Sequence, residues 1–351
     1  MPFRVLSLDG GGAWSLIQVR ALTELYGQAA SGHQVLANFD LVAANSGGCL
    51  VLAGLVENLP LAGILQYFLD EQKRRSIFSP PTSVGDTLLQ STLGFGPKYS
   101  ATAKPPAIER LLPKTGDNPL AGSTNGVIGP GGAPVHLLII GFDYDSNRAV
   151  FFRSARATKP GWGEGEPATV TLAGAVHAST NAPVNYFDAR AAPAGAADRF
   201  WDGGITGCNN PAVAAVVETL VLGQVAQDIR VLSLGTASVS LPLAAVGAAG
   251  SPLEAPRPDS TLTGDLKKLA TAILDDPPDI ASFIAHAVTG RDPGSDPGVV
   301  SRVVRMSPLI SPLPAAGGRM DAAREVVRRA VSVPVQSRFR CHRPERCRLY
   351  R

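Results

Sequence analysis

Twice within about the first 55 residues, an apolar run of strand-forming residues breaks on a knot of small residues and passes straight into an apolar run at helical spacing. "FRVLSL" (3–8) leads through "DGGG" (9–12) into "AWSLIQVRALTELYGQAA" (13–30). "NFDLVAAN" (38–45) leads through "SGG" (46–48) into "CLVLAGLVENL" (49–59). Neither strand-like run alternates apolar with polar residues, so both of its faces are buried, and strand, tight turn, helix is the unit from which parallel sheets are built. The expected fold class is therefore α/β, a three-layer α/β/α arrangement around a central, mainly parallel sheet. Such sheets gather their sites at the carboxyl ends of the strands, where both small-residue knots lie.

Residues 79 to 134 are rich in Pro, Gly, Ser and Thr around one helix-like piece, "PPAIERLLP", and suggest a cap-like insertion. "VHLLIIGFDYDSNRAVFFRS" predicts a hairpin turning at "DSN", and "ATVTLAGAVHAST" a helix. "FWDGGITGCNNP" (200–211) precedes a helix from about Ala212 and a buried strand, "IRVLSLGT". Residues 237 to 261 form a second loose insertion, and "SRVVRMSPL" with a helix near 319–331 closes a domain expected over 1–333. The last stretch, 334–351, carries a cluster of arginines while the rest of the chain is nearly neutral, and it reads as a flexible basic tail.

With 351 residues, 45% of them hydrophobic and 17% charged, the chain can bury a large core and does not have the composition of a disordered protein. No run of about 18 apolar residues occurs, and the first residues enter a strand without a basic leader. The expectation is a cytoplasmic protein with at most peripheral contact at a membrane. The four cysteines, Cys49 and Cys208 in helix-like contexts and Cys341 and Cys347 in the tail, show no framework spacing and fit a reducing compartment.

Three stretches carry chemistry. In "AANSGG" a strand must turn into a helix over one residue, Ser46, which lifts that side chain above the sheet and demands small neighbours two positions away; Ala44 and Gly48 meet the demand. Ser46 is then either an exposed nucleophile at a helix N-terminus or simply a helix-capping serine. Gly10, Gly11 and Gly12 allow several backbone amides to point into one small space, which suits an oxyanion or a phosphate group. Asp202 ends an apolar strand-like run and precedes Gly203 and Gly204; it is either a partly desolvated base or an Asp-Gly turn residue. None of the five histidines lies in or beside the glycine knots. A triad of Ser46, Asp202 and His286 stays open, since triads are defined in space, but aspartate acting directly on serine needs no histidine.

Four stretches taken in order, "DGGG" at 9–12, "ANSGG" at 44–48, "ASTNAPVNYF" at 178–187 and "DGG" at 202–204 followed by "NNP", resemble those of the patatin-like phospholipases. The resemblance implies a lipid acyl hydrolase with a Ser-Asp dyad: Ser46 the nucleophile, Asp202 the general base, Gly10 to Gly12 the oxyanion donors, with Asp9, Ala44, Gly48, Gly203 and Gly204 supporting the motifs. It implies a small, partly apolar wall at Ser179 to Pro183, no cofactor and no metal. The implied partner is a phospholipid or another acyl-ester lipid, reached by transient contact with a membrane surface; no nucleic acid is expected. Two departures stand out. Trp14 and Ser15 occupy places where the family pattern has an arginine and a glycine, and Ala44 replaces the first glycine of the elbow. Two other readings of the glycine knot remain: the phosphate loop of an actin-like sugar kinase, with "LSLGTAS" (232–238) as a second loop, and a non-catalytic lipid-binding pocket.

Overall fold

A computed structural model describes residues 1–79, 98–124, 126–155, 170–183, 186–193, 198–239, 277–290 and 301–310, with scattered residues between 260 and 272. Part of the 79–134 insertion, most of the 237–261 insertion, the helix expected near 319–331 and the basic tail lie outside the described residues.

Strand β1 (Phe3–Leu8) lies between β2 (Leu41–Asn45) and β6 (Ile229–Leu234), parallel to both. Outward from there, β3 (His136–Asp143) joins β2 and β8 (Val303–Met306) joins β6, again in parallel. The order is β4-β3-β2-β1-β6-β8, with β4 (Arg148–Arg153) antiparallel at one edge. A short strand, β5 (Phe200–Asp202), also pairs with β3, antiparallel. The sheet is thus mixed but mostly parallel, as the unbroken apolar runs predict. A separate pair, β7 (Ser238–Val239) and β9 (Leu309–Ile310), lies off this sheet.

Alternate residues of the central strands enter different cores. Leu6, Leu8, Val42 and Ala44 pack on one face, beneath α1 (Leu16–Tyr26), α2 (Gly32–Leu36), α3 (Gly47–Val56), α4 (Leu61–Leu69), α6 (Pro105–Leu111) and α7 (Leu172–Ser179), while the short α5 (Glu71–Ile77) continues from α4. Val5, Leu41 and Ala43 pack on the other, beneath α8 (Ala212–Val221) and α9 (Pro277–Val288). Each leucine and valine among them contributes about 1.5–3 kcal/mol by leaving water, and a strand buried on both faces gains from both. These are the three layers of the α/β/α arrangement.

Local chemistry sets the connections. The hairpin turns where expected: Asp143 Oδ1 accepts from the amides of Asp145 and Ser146 at 2.9 and 3.1 Å, and Asn147 adopts φ 56°. Gln18, buried on α1, donates through Nε2 to the carbonyls of Asp9 and Leu234 at 2.8 and 3.0 Å, fastening the ends of β1 and β6 together. In the region read as a cap, residues 98–124 pack into the main body: the Ser100 amide donates to the Ser79 carbonyl at 2.8 Å, and α6 lies against α7. Cys208 sits in the turn that precedes α8, not in a helix; two glycines and an Asn-Pro step around it prevent one. Among the described residues no helix is long and apolar enough to cross a membrane.

Candidate active site

At the end of β2 the backbone reverses on Ser46, which has φ 49° and ψ −124°. A residue with a Cβ is held in that region at a cost on the order of 1–3 kcal/mol, so the surroundings must enforce it. They do so by backbone contact. A Cβ on Gly48 would lie 2.4 Å from the Leu8 carbonyl oxygen, and one on Gly47 would lie 2.5 Å from the Gly12 oxygen and 2.6 Å from its nitrogen. A Cβ on Gly10 would reach Asn209 Oδ1 at 2.1 Å and Ser46 Cβ at 3.0 Å. The two glycine knots are therefore pressed against each other, with Ser46 at the seam. Ala44 is wholly buried in the helix-side core, where its methyl group is accommodated.

The Ser46 hydroxyl makes no capping bond to α3. It lies instead near enough to the Asp202 carboxylate to lower that group's affinity for a proton. Pairing along β3 explains how the aspartate arrives. Asn45, the last residue of β2, pairs with Ile140, and the next residue of β3, Gly141, pairs with Asp202. β5 thus takes up the edge of β3 where β2 leaves it.

Asp202 is also the turn residue that its sequence allowed: Oδ1 accepts from the Gly204 amide at 2.7 Å. The same oxygen accepts from Asn45 Nδ2 at 3.3 Å, and the Asp202 amide donates to the Asn181 carbonyl at 3.0 Å. Gly203 is required by space, since a Cβ there would meet Asn45 Oδ1 at 2.6 Å. Burial pushes the Asp202 carboxyl above the ordinary carboxylate range; the nearby Ser46 hydroxyl, the hydrogen bonds from Gly204 and Asn45 and the charge of Lys104 pull against it.

Ser179, at the end of α7, braces the corner from the other side. Its Oγ accepts from the Ser46 amide at 3.0 Å and from Cys49 Sγ at 3.2 Å, and it donates weakly to Asn45 Oδ1 at 3.5 Å. The wall expected at 179–183 is thus polar where it touches the elbow.

The three glycine amides differ. The Gly10 N–H donates to the Asn209 carbonyl at 2.9 Å, which removes it from the set of donors that could face a ligand. This corrects the expectation for Gly10, whose role is steric. The amides of Gly11 and Gly12 meet no acceptor among the described residues, and Gly12 adopts φ 55° beside Gly47. Thr236, from "LSLGTAS", donates through Oγ1 to the Gly10 carbonyl at 2.7 Å and packs against Gly11, supporting the knot.

Asp9 lies apart from Ser46 in function: its Oδ2 pairs with Arg305 Nη2 at 2.5 Å, and Arg305 Nη1 donates to Ser233 Oγ at 2.8 Å, tying the ends of β1, β6 and β8. Burial raises the Asp9 carboxyl to about 6 against the lowering effect of Arg305. Trp14 is partly exposed, while Ser15 is buried with its Oγ against Gly47.

His286 lies on α9, with Nδ1 3.4 Å from Ser301 Oγ, and among the described residues no histidine acts on Asp202. Asn45, Gly47 and Asn181 lie within the motif stretches but have no role of their own in the sequence reading, and Lys104 lies outside every motif. Gly47 and Asn45 flank Ser46 directly, and the steric demand of the corner pointed toward them; nothing in the local pattern marked Lys104.

A family model described as patatin-like phospholipase matches residues 6–216, more than half of the chain. No curated protein matches the chain. Among solved structures, the crystal structure of VipD from Legionella pneumophila is similar with a TM-score of 0.40 and 12% identity, over 94% of this chain and 64% of that one. The present chain thus spans less than two thirds of that protein's length.

Proposed function

Because this chain belongs to the patatin-like phospholipase family, whose members are lipid acyl hydrolases, we propose that it cleaves fatty acyl esters of phospholipids or related lipids with Ser46 as nucleophile and Asp202 as general base. The observation that carries this reading is the nearness of the Ser46 hydroxyl to a buried carboxylate, on a serine whose strained backbone spends none of its hydroxyl on helix capping.

The steps follow from the contacts. Asp202 takes the hydroxyl proton as Ser46 Oγ attacks the acyl carbonyl. The amides of Gly11 and Gly12, next to the N-terminus of α3, receive the developing negative charge on the carbonyl oxygen; each such donor typically contributes about 10²–10³ in rate. When the tetrahedral intermediate collapses, the proton on Asp202 passes to the departing alcohol and an acyl-serine remains. Water, deprotonated by the same carboxylate, attacks the acyl-serine; the fatty acid leaves and the proton returns to Ser46. A raised carboxyl pKa suits this exchange, since a base works best when its affinity for the proton lies near the working pH. Contact with a membrane surface is transient in this reading.

Labelling by a fluorophosphonate probe tests the nucleophile: wild type is expected to be labelled and Ser46→Ala is not. Lipid analysis of mixed phospholipid liposomes after incubation with each form tests the substrate class. Release of fatty acid by Ser46→Ala at the wild-type rate would overturn the proposal.

A further inference from the structure

We propose that Lys104 is a positioning residue for the Ser46–Asp202 pair, clamping Asn181, which in turn holds the backbone of Asp202. The inference rests on the acyl-hydrolase reading above.

Lys104 immediately precedes α6 and is fully buried, at 0% exposure. Lysine is almost never found in that state unless paired, and a methionine would fill the space without the cost of taking an amine out of water. What only lysine supplies is a donor and a charge. Both are used. Nζ donates to Asn181 Oδ1 at 2.7 Å and stands 3.9 Å from the centre of the Phe187 ring, an acceptor and a π-face that suit an ammonium. Asn181 then has every polar group engaged: its Nδ2 donates to the Ala189 carbonyl at 2.5 Å, and its own carbonyl accepts from the Asp202 amide. The chain of contacts runs from the start of α6 to the peptide of the proposed base.

The titratable groups that face this pair are few. Cys49, from α3, feels the Asp202 charge, and burial pushes its thiol up, so it stays neutral. His177, from α7, is driven down to about 3 by burial and by Lys104, so it too is neutral. Among the described residues Lys104 is the one charged side chain acting on Asp202 through space. Burial lowers the Lys104 ammonium well below its ordinary range and the Asp202 carboxylate pulls against that, so the charge on Nζ depends on the carboxylate beside it.

The test compares Lys104→Met, which removes donor and charge, with Lys104→Gln, which keeps a donor, and Lys104→Arg, which keeps a charge. Each is assayed as the full chain on p-nitrophenyl acyl esters across pH, after a thermal melt has shown that it folds. Lys104→Met should move the acid limb of kcat/KM upward by about one pH unit and lower kcat several-fold with little change in KM; Lys104→Gln should move the limb but retain more of kcat; Lys104→Arg should restore the limb. An acid limb in Lys104→Met that coincides with wild type overturns the proposal, and if that variant does not fold the same reading falls to Lys104→Gln. A ¹³C titration of the Asp202 carboxyl in wild type and variants needs no substrate. It separates failure of the Lys104 assignment, seen as an unmoved Asp202 titration, from failure of the hydrolase reading, seen as a wild type that neither labels nor hydrolyses.

Discussion

Asn45 and Asp202 meet at the place where β3 exchanges one neighbour for another, their side chains 3.3 Å apart. Asn45 is the last β2 residue to pair with β3, through Ile140, and Asp202 pairs with the adjacent Gly141. The residue after Asn45 is Ser46, so hydroxyl and carboxylate are delivered to one point by strand register and not by long, mobile side chains. Sites carried on rigid elements hold their geometry more closely than sites carried on loops.

That placement yields the first prediction. Ser46→Ala and Asp202→Asn should each lower kcat/KM on p-nitrophenyl esters by on the order of 10³-fold or more, while His286→Ala should leave it within about twofold of wild type. Collapse of activity in His286→Ala would indicate an ordinary triad.

A second concerns pH. Asp202 must be ionised to accept the proton, and burial lifts its pKa above the ordinary value of 3.8. Activity should therefore fall as pH drops through that raised pKa, and the acid limb of kcat/KM should have its midpoint above 3.8. A midpoint at or below the ordinary value would contradict the burial argument.

Strain at the elbow leads to a third. Ser46→Gly removes the penalty for φ 49° along with the hydroxyl. It should be inactive yet more stable than Ser46→Ala by about 1 kcal/mol, read as a higher midpoint in urea. Equal midpoints would mean that the surroundings do not force the conformation.

The glycines should separate in the same assay. A Cβ on Gly48 runs into the Leu8 carbonyl at 2.4 Å, whereas one on Gly12 meets nothing nearer than Phe78 at 3.9 Å. Gly48→Ala should cost several kcal/mol or fail to fold. Gly12→Ala should cost only the left-handed conformation, about 1–2 kcal/mol.

Asp9 supplies a pH dependence of stability. Its folded pKa of about 6 lies above the ordinary 3.8, so between those values the native protein binds more protons than the unfolded chain. Stability due to this group is then present below 3.8 and is lost as pH rises through about 6. In urea melts on either side of that window, wild type should lose stability with rising pH relative to Asp9→Asn. Arg305→Met, which leaves the buried carboxylate without its partner, should make the loss steeper.

How far these features were legible differs residue by residue. The corner at Ser46 could be read because only small residues let a strand turn into a helix over one position. Asp202 was half legible: an Asp-Gly step predicts a turn, and the structure retains the turn bond to Gly204 while also directing the carboxylate to Ser46. Gly10 was misleading, since whether an amide is free depends on what lies opposite, and Asn209 reaches it from a distant loop. Lys104 was invisible, because a lysine in a Pro- and Ser-rich stretch has the pattern of a solvated charge until the fold closes Phe187 and Asn181 over it.

The order of apolar strands, glycine corners and helices was decided by local chemistry: side-chain periodicity, the need to bury both faces of a strand, and the steric freedom of residues without a Cβ. Which serine, carboxylate and amides share one small volume was decided only when β5 added to β3 and the two glycine knots closed on each other. Those contacts join residues far apart along the chain, and register and burial, which set their distances and charges, exist only in three dimensions.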